Sequence, residues 1–393
     1  MEENHENEDE GGGKPFDWIA IWALCIGNEI ADVPMPARIA IERRNLIPSS
    51  RSIHLLPKVD IHRHLEGSLR LSTLAEIARL EKLPLPYDPE ELRPHIQIGD
   101  VDNPKSVEFL AKFKTLRTFY RSRELIQRFV YEAVEDASLD HVRALELRFT
   151  PVAISQAGGF NLEQVTDWVL STSKSAGEEF GVEVACVLSV NRHEAVDLAE
   201  QVADIAIERS DDGVTGMDLA GDEARFPAEP FEGALLRAKE AGLGITVHAG
   251  EWAGAENVGM AIERLQADRI GHGIRVLEDG EISHVAVKHE VVFEVSLTSN
   301  WKTGAVDDLQ SHPITEMIQA GLAIALTTDD PSIFETTLSS EFVLAGKYFD
   351  FSIDSIKAFN LTALQAMFIS ARKKKLLEKE LVQAYWGSEV PDA

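Results

Sequence analysis

The segment LPKVDIHRHLEGSL, residues 56–69, decides the architecture. Residues 59–64 form a short β-prone run that ends on His62 and His64. Side chains on a strand alternate between its faces, so two residues at this spacing point the same way. One strand therefore presents two imidazoles on one face near its C-terminal end. In a parallel barrel that end opens on the site, and both rings can reach a single metal ion there. An H-x-H pair by itself is more often two surface or core histidines. The remainder of the chain has to decide between the two.

Outward from this segment a rhythm sets in. β-prone runs at 144–149, 183–190, 216–219, 245–248, 269–272, 291–295 and 324–327 follow the first, with amphipathic stretches such as 124–139, 162–180, 195–209 and 231–241 between them. Short strands alternating with helices in this number predict an α/β protein, a TIM-type (β/α)8 barrel with extra helices and an N-terminal extension. A doubly wound open sheet is the competing architecture, but the glycine-rich phosphate loop it usually carries after its first strand is missing. The run at 142–149 reads partly as helix. Residues 84–122, which contain SVEFLAKF, are an insert between the first two strands. Such a loop at a strand's C-terminal end is expected to cover an active site.

The chain has 393 residues, 44% of them hydrophobic and 26% charged, the composition of a soluble globular protein. Its net charge of −28 repels polynucleotides and suits a neutral small molecule. Residues 1–14 are acidic and then glycine-rich, and are expected to be a disordered tail. Residues 15–55 form an extension, and residues 56–393 are expected to be one (β/α)8 catalytic domain. The two cysteines, Cys25 and Cys186, make neither a disulfide framework nor a zinc knuckle, and fit a reducing cytoplasm. The apolar run FDWIAIWALCI at 16–26 is too short to span a bilayer and lacks the basic start of a secretory signal. It reads as a helix packed on the barrel or as a homo-oligomer contact, with no membrane partner.

Residues capable of metal or proton chemistry end several other runs. His248 closes the strand in GITVHAGE, and Glu251 follows three residues later. A lone histidine there is more often a satisfied core residue; it gains weight because a barrel gathers strand ends. Asp329 and Asp330 end the eighth run in AIALTTDDP. Adjacent carboxylates are costly to bury unless a cation or a proton neutralises one; the alternative is a solvated loop or a cap before Pro331. His272, in RIGHGI, lies at another strand end. Three histidines and one carboxylate suit zinc and leave a position for water, whose pKa zinc lowers to about 7. His272 is placed to orient that water or to take its proton.

Taken together and in order, LPKVDIHRHLEGSL, MDLAGDE, ITVHAGE, RIGHGI, LTSNWKTGAV and TTDDPSIF resemble the adenosine deaminase family, from about residue 56 to near the C-terminus. The resemblance implies that His62, His64, His248 and Asp329 are zinc ligands. Binuclear amidohydrolases commonly bridge two metals with a lysine of the fourth strand; GVTGMDLAGDE, residues 213–223, has none, which favours one zinc per chain. By the same resemblance Glu251 protonates the purine N1 as hydroxide attacks C6, with His272 beside that hydroxide. Asp330 bonds N7, and the backbone N–H of Gly221 bonds N3, where only glycine allows so close an approach. Phe109, Leu110 and Phe113 form the apolar wall over the base. His64 faces the substrate, and Glu66 lies at the ribose 5′ end.

The implied reaction is zinc-dependent hydrolytic deamination of adenosine and 2′-deoxyadenosine to inosine and 2′-deoxyinosine, with release of ammonia. The partner is a small-molecule purine nucleoside and not a nucleic acid. Position 66 is Glu where many adenosine deaminases carry Asp and adenine deaminases often carry Glu, and no cysteine precedes LTSN. ELRFTP (146–151) and TGAV (303–306) look like the nucleoside branch. The alternatives are a deaminase of adenine or of a 5′-modified nucleoside, and a non-catalytic purine-binding protein. The mark of the last would be a missing ligand or acid, and none is missing.

Overall fold

The computed structural model of the chain describes residues 49–99 and 105–387. Strands β1 (Lys58–His64), β2 (Val142–Phe149), β3 (Glu183–Asn191), β4 (Val214–Ala220), β5 (Gly244–Ala249), β6 (Arg269–His272), β7 (Val292–Val295) and β8 (Ala323–Leu326) pair in chain order in parallel ladders. The ring closes just past β8. There the N–H of Asp329 donates to the His62 carbonyl at 2.8 Å, and the N–H of His64 donates to the Asp329 carbonyl at 2.9 Å. The fold is the TIM-type barrel that the alternation predicts.

The ambiguous run at 142–149 is a strand along its whole length, laddered by β1 on one side and β3 on the other. Its residues alternate. Leu145, Leu147 and Phe149 join the apolar layer under the helices, while Glu146 and Arg148 are fully buried in a charged interior. Helix Arg123–Leu139 packs on β2, and helix Leu162–Phe180 on β3. Each fully buried Leu or Phe in that layer contributes about 1.5–3 kcal/mol.

Polar residues fill the barrel's interior above its lower end. Glu294 of β7 accepts from Arg148 Nη2 and from Arg269 Nε, both at 2.5 Å, and Arg269 Nη2 also reaches Glu146 Oε2. Burial alone would raise the Glu294 pKa, but Arg148, Arg269 and His62 outweigh it and hold the carboxylate well below its ordinary range. At the N-terminal ends of β4 and β5, Phe368 sits where Cβ atoms of Gly216 and Gly244 would be, and its ring lies 3.6 Å from the Arg269 guanidinium. The segment after helix Ile353–Ala366 thus plugs the barrel from below.

The insert of residues 84–122 supplies helices Pro89–Ile96 and Ser106–Leu116 and a 3-10 turn, Arg117–Phe119. Asp88 caps the first, accepting from the N–H groups of Glu90 and Glu91, with Pro89 at the first helical position. The second helix brings Phe109 against Phe334, ring centroids 5.2 Å apart, over the C-terminal mouth of the barrel. The acidic tail, most of the extension, the run 16–26 and Cys25 lie outside the described residues. Helix Ser50–His54, the described end of the extension, packs on helix Leu338–Phe349. Among the described residues no helix is long and apolar enough to cross a membrane.

Candidate active site

β1 delivers His62 and His64 to one point. β5 adds His248, and the turn after β8 adds Asp329. The four donor atoms all lie within 4.8 Å of one another. His62 Nε2 stands 3.2 Å from His64 Nε2, which stands 3.4 Å from His248 Nε2. Asp329 Oδ1 is 3.2 Å from His62 Nε2 and 3.4 Å from His64 Nε2. Nitrogens that face each other this closely need a cation or a shared proton between them.

The far side of two rings shows why their lone pairs point inward. His62 Nδ1 donates to Glu294 Oε2 and His248 Nδ1 to Asp218 Oδ1, each at 2.9 Å. A carboxylate on one ring nitrogen fixes the tautomer and leaves the other nitrogen free to ligate. Burial pushes the His64 pKa down to about 3, which keeps that ring neutral. Burial and Arg148 also push His62 down, but Asp329 and Glu294 outweigh them and hold it above the ordinary imidazole value. A cluster of three imidazoles and a carboxylate fits a divalent zinc-type ion.

Glu251 and His272 complete the point. His272 Nε2 is 3.6 Å from Glu251 Oε2 and 3.9 Å from Asp329 Oδ2. Glu251 Oε1 accepts from Asn300 Nδ2 and Thr303 Oγ1, both at 3.2 Å. That oxygen is occupied by donors, so a proton on Glu251 belongs on Oε2. Burial first, then the charges of Asp329 and Glu223, raises the Glu251 pKa well above the carboxylate norm. Glu223 in turn accepts the backbone N–H groups of Gly250, Glu251, Trp252 and Ala253, which fixes the loop that carries the acid. His272 and Asp329 both have positive φ, 62° and 61°, strain that buried neighbours hold in place.

A cavity of about 360 Å³ opens on this point. Every residue that the sequence singled out lines it except His62, which lies at the floor with no exposure: His64, Glu66, Phe109, Leu110, Phe113, Gly221, His248, Glu251, His272, Asp329 and Asp330. Gly221 has φ +95°, a conformation that suits glycine, and an added Cβ would stand 3.3 Å from the Arg192 nitrogen. Asp330 is buried with Oδ1 unpaired; burial and the charges of Asp329 and Glu66 raise its pKa well above the usual value. Glu66 accepts from the Thr150 N–H at 2.8 Å, and its Oε2 is buried without a partner. A wider groove of about 940 Å³, bounded by helices Ser50–His54 and Leu338–Phe349, holds none of these residues.

Residues the sequence did not single out support the site. They are Asp218 and Glu294 behind the histidines, Asn300 and Thr303 behind the acid, and Ser299, which donates to Asp329 Oδ2 at 2.7 Å. For Asp218 and Glu294 a signal existed: each is the one charged residue of a largely apolar strand.

A parallel barrel with histidines and an aspartate gathered at the C-terminal strand ends, where they could hold a metal ion beside a buried acid, is the arrangement of a hydrolase of the amidohydrolase kind. The family model described as adenosine deaminase matches residues 57–384. The adenosine deaminase of Enterococcus faecalis is 34% identical over 333 residues, 85% of this chain and 98% of its own. The chain belongs to the adenosine deaminase family. Three solved structures are similar in fold. A zinc-bound amidohydrolase from Burkhoderia ambifaria has a TM-score of 0.79 and 25% identity, covering 87% of this chain and 95% of that one. An adenine deaminase from Arthrobacter aurescens has 0.77 and 28%, covering 84% and 98%. The N6-methyl-AMP deaminase of Arabidopsis thaliana has 0.76 and 28%, covering 86% and 99%.

Proposed function

We propose that the chain, as one catalytic unit from residue 56 onward, deaminates adenosine and 2′-deoxyadenosine hydrolytically with one zinc ion held by His62, His64, His248 and Asp329. The observation that carries this is the convergence of Glu251 Oε2, His272 Nε2 and Asp329 Oδ2 on one side of the histidine cluster, facing a cavity of nucleoside size. A bound zinc ion supplies hydroxide at neutral pH by lowering the pKa of water to about 7. Everything else falls to the chain. Attack at C6 breaks purine aromaticity, so C6 becomes electrophilic only as N1 gains a proton. Glu251, neutral in its dry surroundings, delivers that proton from Oε2. Asp330, also held neutral, donates to N7. The Gly221 N–H meets N3, and Phe109, Leu110 and Phe113 exclude water above the base. Ammonia leaves C6, and the inosine-type product remains.

Glu66, with one oxygen free in the pocket, meets the ribose 5′ group. A polar group buried to bond a hydroxyl rejects analogues that lack it, by roughly 10⁴ in favourable cases, so free adenine is a poor substrate. One observation favours a second reading. Lys114, Arg117, His193 and Arg225 line the same cavity in a chain of net charge −28. Arg225 is paired with Asp222, but Lys114 and Arg117, both from the insert, suit a nucleoside with an anionic group beyond its 5′ carbon. The deciding experiment is kcat/KM for adenosine, adenine, AMP and a 5′-thioether nucleoside under one condition. Adenosine in front supports the first reading; AMP in front supports the second; adenine in front overturns both. The ligand is a free small molecule in each case, and the acidic surface argues against nucleic acid. A reducing cytoplasm suits the buried, unbonded Cys186.

A further inference from the structure

What His272 can do depends on which ring nitrogen holds its proton, and a residue outside the cavity decides that. His312 follows the turn Leu309–Ser311 and is 2% exposed. Its Nδ1 accepts the N–H of Ile314 at 3.1 Å. A nitrogen that accepts carries no proton, so the proton of this ring is on Nε2. Nε2 faces Asn300 Oδ1 at 3.1 Å and donates to it.

The Asn300 amide is thereby oriented, because its oxygen and nitrogen lie on opposite sides. Nδ2 must face the other way, towards Glu251 Oε1 at 3.2 Å and His272 Nδ1 at 3.1 Å. Its two protons serve those two acceptors. A flipped amide would set donor against donor at His312 and oxygen against oxygen at Glu251. With an amide N–H directed at Nδ1, the His272 ring has its proton on Nε2, the nitrogen that faces Glu251 and Asp329.

We propose that His312 is a positioning residue: acting through Asn300, it holds His272 in the Nε2–H tautomer, so that His272 donates to the attacking oxygen and does not accept its proton. This rests on the assignment of His272 to the water-facing side of the site. Two contacts of 3.1 Å, through Asn300, link a histidine outside the cavity to the ring that lines it, and a third, from the Ile314 N–H, sets the tautomer of the first ring. The same amide keeps Glu251 Oε1 occupied and its Oε2 free, so one side chain sets the donor geometry of both groups.

The test begins with the zinc-loaded full chain, labelled with ¹⁵N-histidine and examined by long-range ¹H–¹⁵N correlation. His272 is assigned from the spectrum of His272→Asn. A protonated Nε2 and bare Nδ1 are expected; a protonated Nδ1 overturns the proposal whatever the variants do. His312→Leu, which removes the donor, is expected to keep its zinc and its KM, to mix the His272 tautomers and to lose about 10–100-fold in kcat, the range typical of outer hydrogen-bond partners. His312→Gln, which retains an amide donor, is expected to recover most of that loss. Equal losses in the two variants, or full kcat in a zinc-loaded His312→Leu, overturn it. If no purine is turned over at all, the deamination reading fails while the tautomer measurement still decides this one.

Discussion

The N–H of Asp329 donates to the carbonyl of His62 across 2.8 Å, so two of the residues proposed to hold the ion also close the barrel. Ion binding and ring closure therefore share the same backbone. Removing the metal should cost stability as well as activity. Ligand at 100 times its Kd stabilises a fold by about 2.7 kcal/mol. Exhaustive chelation is expected to lower Tm clearly, and zinc to restore it; an unchanged Tm would separate the two roles.

Asp218 lies behind His248 and touches no substrate. Asp218→Asn keeps the shape, but its amide oxygen binds the imidazole N–H more weakly than a carboxylate does. The expected result is a loss of zinc affinity of about 10–100-fold with little change in fold. Competition with a coloured chelator measures it, and wild-type affinity would remove Asp218 from the site.

Glu251 must be protonated to act, and its pKa in the fold is raised. The active form is therefore present below that value, and kcat/KM should fall as pH climbs through it. For stability the sign is the same. A carboxyl whose folded pKa exceeds its unfolded value, about 4.3 for Glu, contributes fully below the latter and loses that contribution as pH rises to the former. Glu251→Gln should lose turnover by about 10²–10⁴-fold. It should also gain Tm over wild type at pH 8 relative to pH 5. Equal pH dependence of Tm in the two proteins would contradict the raised pKa.

Gly221→Ala places a side chain at φ +95°. Strain of about 1–3 kcal/mol and crowding of the N3 position should raise KM about tenfold or more while zinc content stays whole. Metal analysis beside steady-state kinetics checks both halves. An unchanged KM would mean that the base lies elsewhere in the cavity.

The barrel was legible because its strands are separate β-prone runs and the candidate ligands fall at their ends, where periodicity and polarity coincide. Residues 142–149 were ambiguous for a local reason: the contest between helix and strand there is settled by ladders to β1 and β3, which no window of sequence contains. His62, His64, His248 and Asp329 could be picked out because metal chemistry favours few residue types. Asn300 and His312 could not, since their contribution lies in which atom faces which neighbour across elements. Glu294 and Asp218 fall between these cases, visible as buried charges without a visible purpose. Glu66 lines the same cavity as the other candidate site residues, but the basic side chains there, Lys114 and Arg117 of the insert and Arg225 of the loop after β4, are collected only by folding.

The order of the ligands along the chain has a consequence for synthesis. His62 and His64 leave the ribosome near the start, Asp329 near the end, and the Phe368 plug later still. A chain is made at about 5–20 residues per second and a domain generally folds as a unit, so a nascent chain halted before β8 would hold three imidazoles, an open seam and unpaired edges on β1 and β7. Such an intermediate can bind ions loosely and in the wrong geometry. On the proposed ligand set, correct loading has to wait for a nearly finished polypeptide, so the metal available to newly made copies would help determine how much competent protein accumulates.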